Sequence, residues 1–385
     1  MVFCQGSGIA IQAAYCTVVA RSLEVRLGAV VRALLPIRSV WQNLLEVSIM
    51  QVAICIATFR RPRRLQKLLN GIAELRFLNV AIPELTVIVV DNDADGTARE
   101  ACRSSALPWR TKYVVEPRRG IAEARNRGLR EIGTADFVAF IDDDEVPNRL
   151  WLDELLSVQG NCQADAVAGP VYPSFTDDVP EWIRTGDFFN RPAHLTGEFL
   201  ACCSTGNALV TRKVFDRVGA FDDRFQLTGG EDLHFFTRVR LAGFKIVWSQ
   251  EAVVTETIYK DRANLGSLLR RAYRGGNSYT LVESSLNGSA YVRFIRFSKG
   301  CVRILQGAVN AGAFVLACRA TPLVRALGQV CCGAGMLAGL AGLRYQAYEA
   351  VSGDSVEKLS DDLVIVGPEI SSRHASGSLK ANTID

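Results

Sequence analysis

Phe137-Val138-Ala139-Phe140-Ile141-Asp142-Asp143-Asp144-Glu145 runs five apolar residues straight into four acidic ones. The apolar part is short and built of β-formers, which predicts a buried strand rather than a helix. Carboxylates crowded at a strand end repel one another and are costly to hold together without a cation. In an open α/β sheet the carboxyl end of a strand is also where ligands bind. Two readings stand at this point: a seat for a divalent metal and whatever it carries, or a solvated acidic turn.

The flanking segments share one pattern. Upstream, Val52-Ala53-Ile54-Cys55-Ile56-Ala57 predicts a strand that passes through Thr58-Phe59-Arg60-Arg61-Pro62 into a helix with Leu65, Leu68, Leu69, Ile72 and Leu75 on one face. Thr86-Val87-Ile88-Val89-Val90 predicts a second strand, ending at Asp91-Asn92-Asp93. Lys112-Tyr113-Val114-Val115 predicts a third, ahead of Gly120 and a helix through Asn126 and Leu129. Downstream, Trp151, Leu152, Leu155 and Leu156 mark a further helix. Near-continuous apolar strands alternating with helices imply a parallel sheet covered on both faces. Right-handed crossovers bring the strand ends near 58, 91 and 142 to one edge. No G-x-G-x-x-G or G-x-x-x-x-G-K-[ST] follows any of these strands, so neither a dinucleotide fold nor a P-loop is supported.

From about 165 to 300 the pattern is more mixed. Residues 165–171 read as one strand, 175–200 as a long loop, and Thr205-Gly206-Asn207-Ala208-Leu209-Val210 leads to a helix around Val214. Gly229-Gly230-Glu231-Asp232 opens a helix carrying Leu233, Phe236 and Val239; acids in a first helical turn commonly serve as caps.

Composition narrows the function classes. At 385 residues the chain has room for one large domain or two modest ones, and its net charge of +4 is too small to argue for nucleic acid. Eleven Cys with no C-x-x-C pair suit small hydrophobes in a reducing cytoplasm better than a zinc or disulfide framework. Three His exclude a histidine-rich metal site. Residues 1–49 carry Arg21, Arg26, Arg32 and Arg38 without a cleavable signal pattern. They are expected to be an extension ahead of a natural start at Met50, with a basic membrane-facing helix as the rival. The apolar runs 304–318 and 326–343 fall short of the about 20 residues that span a bilayer. They read either as a helical hairpin dipping into or lying on the membrane, or as a buried helical pair. The expected divisions are 1–49, a main domain over 50–285, a helical membrane-associating region over 286–350, and a disordered tail over 351–385.

Asp91, Asp142–Asp144 and Glu231-Asp232 together meet the needs of one reaction, sugar transfer from a nucleotide diphosphate. The base and ribose need acceptors at strand ends, the diphosphate leaving group needs a divalent cation, and the incoming hydroxyl needs a carboxylate base.

At these motifs the sequence resembles family 2 glycosyltransferases of the GT-A fold, particularly the bacterial exopolysaccharide branch with succinoglycan-type transferases. The matching stretches are Cys55–Pro62, Val89–Asp93, Gly120–Asn126, Phe140–Glu145, Thr205–Asn207, Gly229–Asp232 and the basic Arg270–Asn277. The resemblance covers about 50–285. It implies a Rossmann-like mixed α/β sheet flanked by helices, with the apolar helical region C-terminal to it. It also implies a nucleotide-diphosphate sugar donor, a glycan or lipid-linked acceptor, a divalent metal (Mg2+ or Mn2+), and work at the cytoplasmic face of the bacterial inner membrane. By position, Thr58, Arg60, Asp91, Asn92, Asp93, Arg125, Asn126, Asp142 and Asp143 would bind the nucleotide sugar. Asp144, with Asp142, would hold the metal. Asp232 would be the base of an inverting displacement, with Glu231 the alternate. Asn207, Arg271 and Arg274 would meet the acceptor or diphosphate.

One departure stands out. Many relatives carry a His where this chain reads Ala252-Val253-Val254-Thr255-Glu256-Thr257, so Glu256 substitutes or the metal rests on Asp144 and phosphate. Two other functions compete: a non-catalytic scaffold of a polysaccharide assembly complex, opposed by the intact Asp144 and Asp232, and a pyrophosphorylase-type enzyme. The latter usually has a Gly-rich signature after the first strand, which Thr58–Pro62 lacks.

Overall fold

The computed structural model describes residues 49–316 and 320–346. The expectations for 1–48 and for the tail beyond 351 lie outside the described residues.

A seven-stranded mixed sheet forms the centre. Its strands are β1 (Gln51–Thr58), β2 (Glu84–Asp91), β3 (Arg110–Val115), β4 (Phe137–Ile141), β6 (Ala166–Ala168), β8 (Asn207–Thr211) and β9 (Ile246–Trp248), in the order β3-β2-β1-β4-β8-β6-β9. The first four are mutually parallel, as the alternating pattern requires, and β8 inserts antiparallel between β4 and β6. Successive residues of β1 enter opposite cores. Val52, Ile54 and Ile56 meet α1 (Pro62–Ala73) and α4 (Trp151–Cys162), burying Leu65, Leu68, Leu69, Trp151 and Leu155. Ala53 and Cys55 meet α3 (Ile121–Glu131) and α7 (Glu231–Leu241), burying Ala122, Ala124, Phe235 and Phe236. The period-2 pattern of a two-sided strand thus decides which helices cover which face.

Three features differ from the sequence expectation. Residues 165–171 are not one strand: Gly169-Pro170 breaks them into β6 and β7 (Val171–Phe175), which lie in different sheets. A small second sheet, in the order β5-β10-β7, joins β5 (Glu145–Pro147) to β10 (Val254–Ile258) antiparallel and β10 to β7 parallel. Strands of three to five residues, two of them containing proline, carry little readable period. The helices of the C-terminal region also begin before the apolar runs do. α8 (Leu265–Leu286), α9 (Ala290–Leu316) and α10 (Ala320–Leu340) pack together, and Thr321–Leu340 is long and apolar enough to cross a membrane by length and composition.

Candidate active site

The acidic turn links the two sheets, since β4 enters it from the first and β5 leaves it into the second. Its carboxylates face different ways. Asp142 accepts from Arg125 Nη2 (3.1 Å), Asp143 from Thr58 Oγ1 (2.8 Å) and Arg61 Nη1 (3.1 Å), and Asp144 from Arg262 Nη1 (2.9 Å). Arg61 and Arg64 stand 3.5 and 3.7 Å from the same Asp144 oxygen. Glu145 folds back on the Asp142 amide (3.0 Å). Burial pushes the Asp143 carboxyl up to about 6, with Arg61 opposing and Asp144 adding. Glu145 is pushed well above its ordinary value by burial and by Asp142. The backbone of β8 can approach this cluster because residue 206 is glycine: a Cβ there would lie 2.7 Å from Glu145 Oε1.

Arg125, on α3, is buried and joins two elements. Its guanidinium donates to Asp142 and, through Nη1, to Glu231 at the start of α7. Gly229 and Gly230 enter that helix with φ of 74° and 94°, a left-handed turn open to glycine at little cost. Glu231 is buried, its Oε2 has no partner, and burial raises its carboxyl to about 7 against the pull of Arg125. Asp232, next along, is half-buried and accepts the Leu233 amide (2.7 Å). Arg125 therefore joins Glu231 to Asp142, and Asp232 follows as the next residue of the same helix.

Four other candidates are built into the walls. Asp91 is fully buried and accepts from the amides of Asp93 and Ala98 and from the Tyr113 hydroxyl. Asn92 ties down Glu116, Arg118 and Gly120, and Asn126 ties down Phe221 and Asp223. Asn207 donates to the carbonyls of Pro170 and Ala252 and accepts from Trp151 Nε1. With their polar atoms so engaged, these residues position loops. Arg60, by contrast, stands at an open rim with φ 55°, a left-handed value uncommon outside glycine and a mark of local strain. It pairs with Asp93 (3.0 Å), and its guanidinium and that of Arg119 both lie over the Phe59 ring.

The opposite wall is cationic. Arg262 spans two carboxylates, donating Nη1 to Asp144 and Nη2 to Glu256 (2.7 Å), while Arg191 stands 3.6 Å from Glu256. Arg64 lies over the Tyr259 ring. Arg271 on α8 lies over Phe189, and its buried Nη1 has no partner. Burial lowers that guanidinium to about 10. Arg274 lies on the same helix, three residues on. Sequence reasoning missed Arg191 and Arg262, which sit in loops without periodic pattern. The only hint of Arg262 was its place shortly after the strand bearing Glu256.

Among the described residues, no group of three or more His, Cys, Asp and Glu converges as a metal cage. Asp144 and Glu256 nevertheless converge on one cation, the Arg262 guanidinium. Two hard carboxylates completed by substrate phosphates suit Mg2+ or Mn2+.

A mixed sheet flanked by helices, with an acidic turn leaving its central strand and a carboxylate-led helix beside that turn, is the architecture of the GT-A glycosyltransferases. The family model of Glycosyl transferase family 2 matches residues 53–219. Succinoglycan biosynthesis protein ExoM of Rhizobium meliloti (strain 1021) is 38% identical over 241 residues, covering 60% of this chain and 74% of that protein. Glycosyltransferase AglE of Haloferax volcanii is 23% identical over 227 residues, covering 58% and 71%. Among solved structures, the mannosyltransferase PcManGT from Pyrobaculum calidifontis, in complex with GDP-Man and Mn2+, aligns with a TM-score of 0.47 at 20% identity, covering 78% of this chain and 77% of that one. The chain belongs to glycosyl transferase family 2, and it is a glycosyltransferase.

Proposed function

We propose that the protein is an inverting transferase that moves a sugar from a nucleotide-diphosphate donor, a UDP-sugar, to a glycan or lipid-linked acceptor in cell-surface polysaccharide synthesis at the cytoplasmic face of the inner membrane. The Glu231–Arg125–Asp142 chain carries this reading, because it ties the helix that bears Asp232 to the turn that bears Asp144. A base and an anion-holding wall are then kept at a fixed separation, as a single displacement requires.

Asp232 is the base. Glu231 is buried and bound to Arg125, whereas Asp232 is half-buried and so within reach of an entering acceptor. The acceptor hydroxyl gives its proton to Asp232 while its oxygen bonds the anomeric carbon. The bond from that carbon to the diphosphate oxygen breaks, and the nucleoside diphosphate leaves with the electron pair. Glu231 acts as a positioning residue. A divalent cation, when bound, supplies charge stabilisation to the leaving diphosphate, and Asp144 with Glu256 would hold it in the place Arg262 now takes. Arg262, Arg271 and Arg274 would clamp the diphosphate or an acceptor phosphate. Guanidinium suits that role, and the spare donor of Arg271 supports it. Phe59, Arg60 and Asp93 at the rim, with Thr58 and Asp143 beneath, would hold the nucleoside.

Asp232→Asn tests the reading. Turnover should fall by about 10²–10⁴-fold while titration with the donor gives nearly unchanged affinity. Wild-type turnover in the variant would refute the role of Asp232, and lost donor affinity would show that it binds rather than acts as a base.

A further inference from the structure

Among the described helices, a long apolar face is left open on α9, not on the helix whose length and composition best suit a membrane span. α10 packs its backbone closely against both neighbours. A Cβ at Gly335 would lie 2.1 Å from the Tyr273 carbonyl of α8, and one at Gly333 would lie 2.6 Å from the Gly300 carbonyl of α9. Contacts this close are lost if α10 leaves its neighbours to cross a bilayer alone. α9 turns its Gly300 and Gly307 side to α10. At about 100° per residue, Tyr291, Phe294, Leu305, Val309 and Leu316 fall in one stripe apart from that side. Phe294 is 67% exposed and Leu305 66%, and the whole stripe is open along a helix roughly 40 Å long at 1.5 Å per residue.

The charges on this helix are one-sided. Arg293, Arg296, Lys299 and Arg303 lie in its first half, and no acidic residue occurs anywhere in Ala290–Leu316. Arg296 is paired with Glu283 of α8, Arg303 donates to Cys332 Sγ of α10 (3.1 Å) and Arg293 reaches the Leu340 carbonyl of α10 (3.5 Å), while Lys299 is exposed at the flank of the apolar stripe. An amphipathic helix with aromatic and aliphatic residues on one face, an exposed lysine at its flank and a positive net charge has the pattern of an element lying in the headgroup layer of an anionic membrane. A second copy of the chain brings the same cations with no acids on this helix to meet them.

We infer that α9 is the membrane-docking surface of this protein, lying flat on anionic lipid with Phe294 and Leu305 in the acyl boundary and Lys299 at the headgroups. α10 is the internal post that holds it. α8, which carries Arg271, packs on the same α10, so the height of the arginine wall above the bilayer is fixed by helix packing. The inference deepens the proposed membrane location and rests on it only for why a membrane is met.

Flotation of the full chain with vesicles tests it, read without donor or acceptor. The wild type should float with phosphatidylcholine–phosphatidylglycerol vesicles, stay behind with phosphatidylcholine alone, and be released by high salt. Phe294→Glu with Leu305→Glu should reduce the floated fraction at least tenfold, and Lys299→Glu should reduce it severalfold. The circular dichroism and thermal midpoint of both variants should match the wild type. Equal flotation of the glutamate variant overturns the inference. So does wild-type protein that resists salt and alkaline extraction, which means a spanning α10. A lipid-indifferent wild-type dimer that the glutamate pair converts to monomer overturns it as well. Absence of sugar transfer would count against the proposed reaction and leave the vesicle result standing.

Discussion

The two ends of the acidic turn are built on opposite charge ratios. At Asp142 one buried guanidinium, Arg125, serves two carboxylates, and Glu231 is held near pKa 7. At Asp144 three guanidinium groups surround one carboxylate, and Arg262 reaches on to Glu256. An end short of cations suits proton removal, because its carboxylates gain by taking a proton. An end rich in cations suits holding a diphosphate. One turn of four acids therefore meets two different charge environments because its residues leave it toward different neighbours, and under the proposed reaction it braces the helix that bears Asp232 at one end and faces the diphosphate at the other. The difference also separates a scaffold from an exchangeable surface: the Arg125 side chain is 8% exposed and that of Arg262 35%.

Removing the scarce cation should have the larger effect. Arg125→Ala leaves Glu231 and Asp142 without their shared partner. Breaking a buried pair in this way costs about 3–5 kcal/mol, which an unfolding midpoint in urea will read. Activity should fall with it, since α7 loses its tie to the turn. If Arg125→Ala unfolds like the wild type, the contrast between the two ends fails.

Arg262→Ala should be milder for stability, below about 1 kcal/mol, because the pair is partly exposed and Arg61 and Arg64 remain on Asp144. Its effect belongs to binding. Donor affinity should weaken about tenfold, which corresponds to about 1.4 kcal/mol, while Mn2+ binding measured without donor should tighten as Asp144 and Glu256 lose their resident cation. Weaker Mn2+ binding in this variant would mean that Arg262 shapes the seat rather than occupies it.

What the sequence revealed and concealed divides along the same line. The strands ending at Thr58, Asp91 and Ile141 were legible because both faces are buried and their apolar runs are continuous. The acidic turn was legible because it ends such a run. The second sheet was not, as Pro147, Pro170 and Pro173 cut it into pieces too short for a period. Without that sheet nothing brings Glu256 opposite Glu145, so the sequence offered Glu256 only as one of two alternatives beside Asp144. Asp91, Asn92, Asn126 and Asn207 show the converse. Their motif draws the eye to these residues, but whether a polar side chain faces a ligand or holds a loop depends on partners distant in sequence.

The smallest effect isolates the proton balance. The Glu231 carboxyl stands at about 7 against an ordinary 4.5 because burial outweighs Arg125. A carboxyl raised in the folded state favours folding in its protonated form. That contribution is complete below about 4.5 and is lost as pH climbs through about 7. Glu231→Gln should therefore flatten the pH dependence of the unfolding midpoint across that window. Activity should move the other way in the wild type, rising as Glu231 ionises and grips Arg125, with an acid limb near 7 in kcat/KM. In Glu231→Gln that limb should vanish while a reduced rate remains, because Asp232 still takes the proton. A limb that persists unchanged in the glutamine variant would assign it to another group and remove Glu231 from the control of the site.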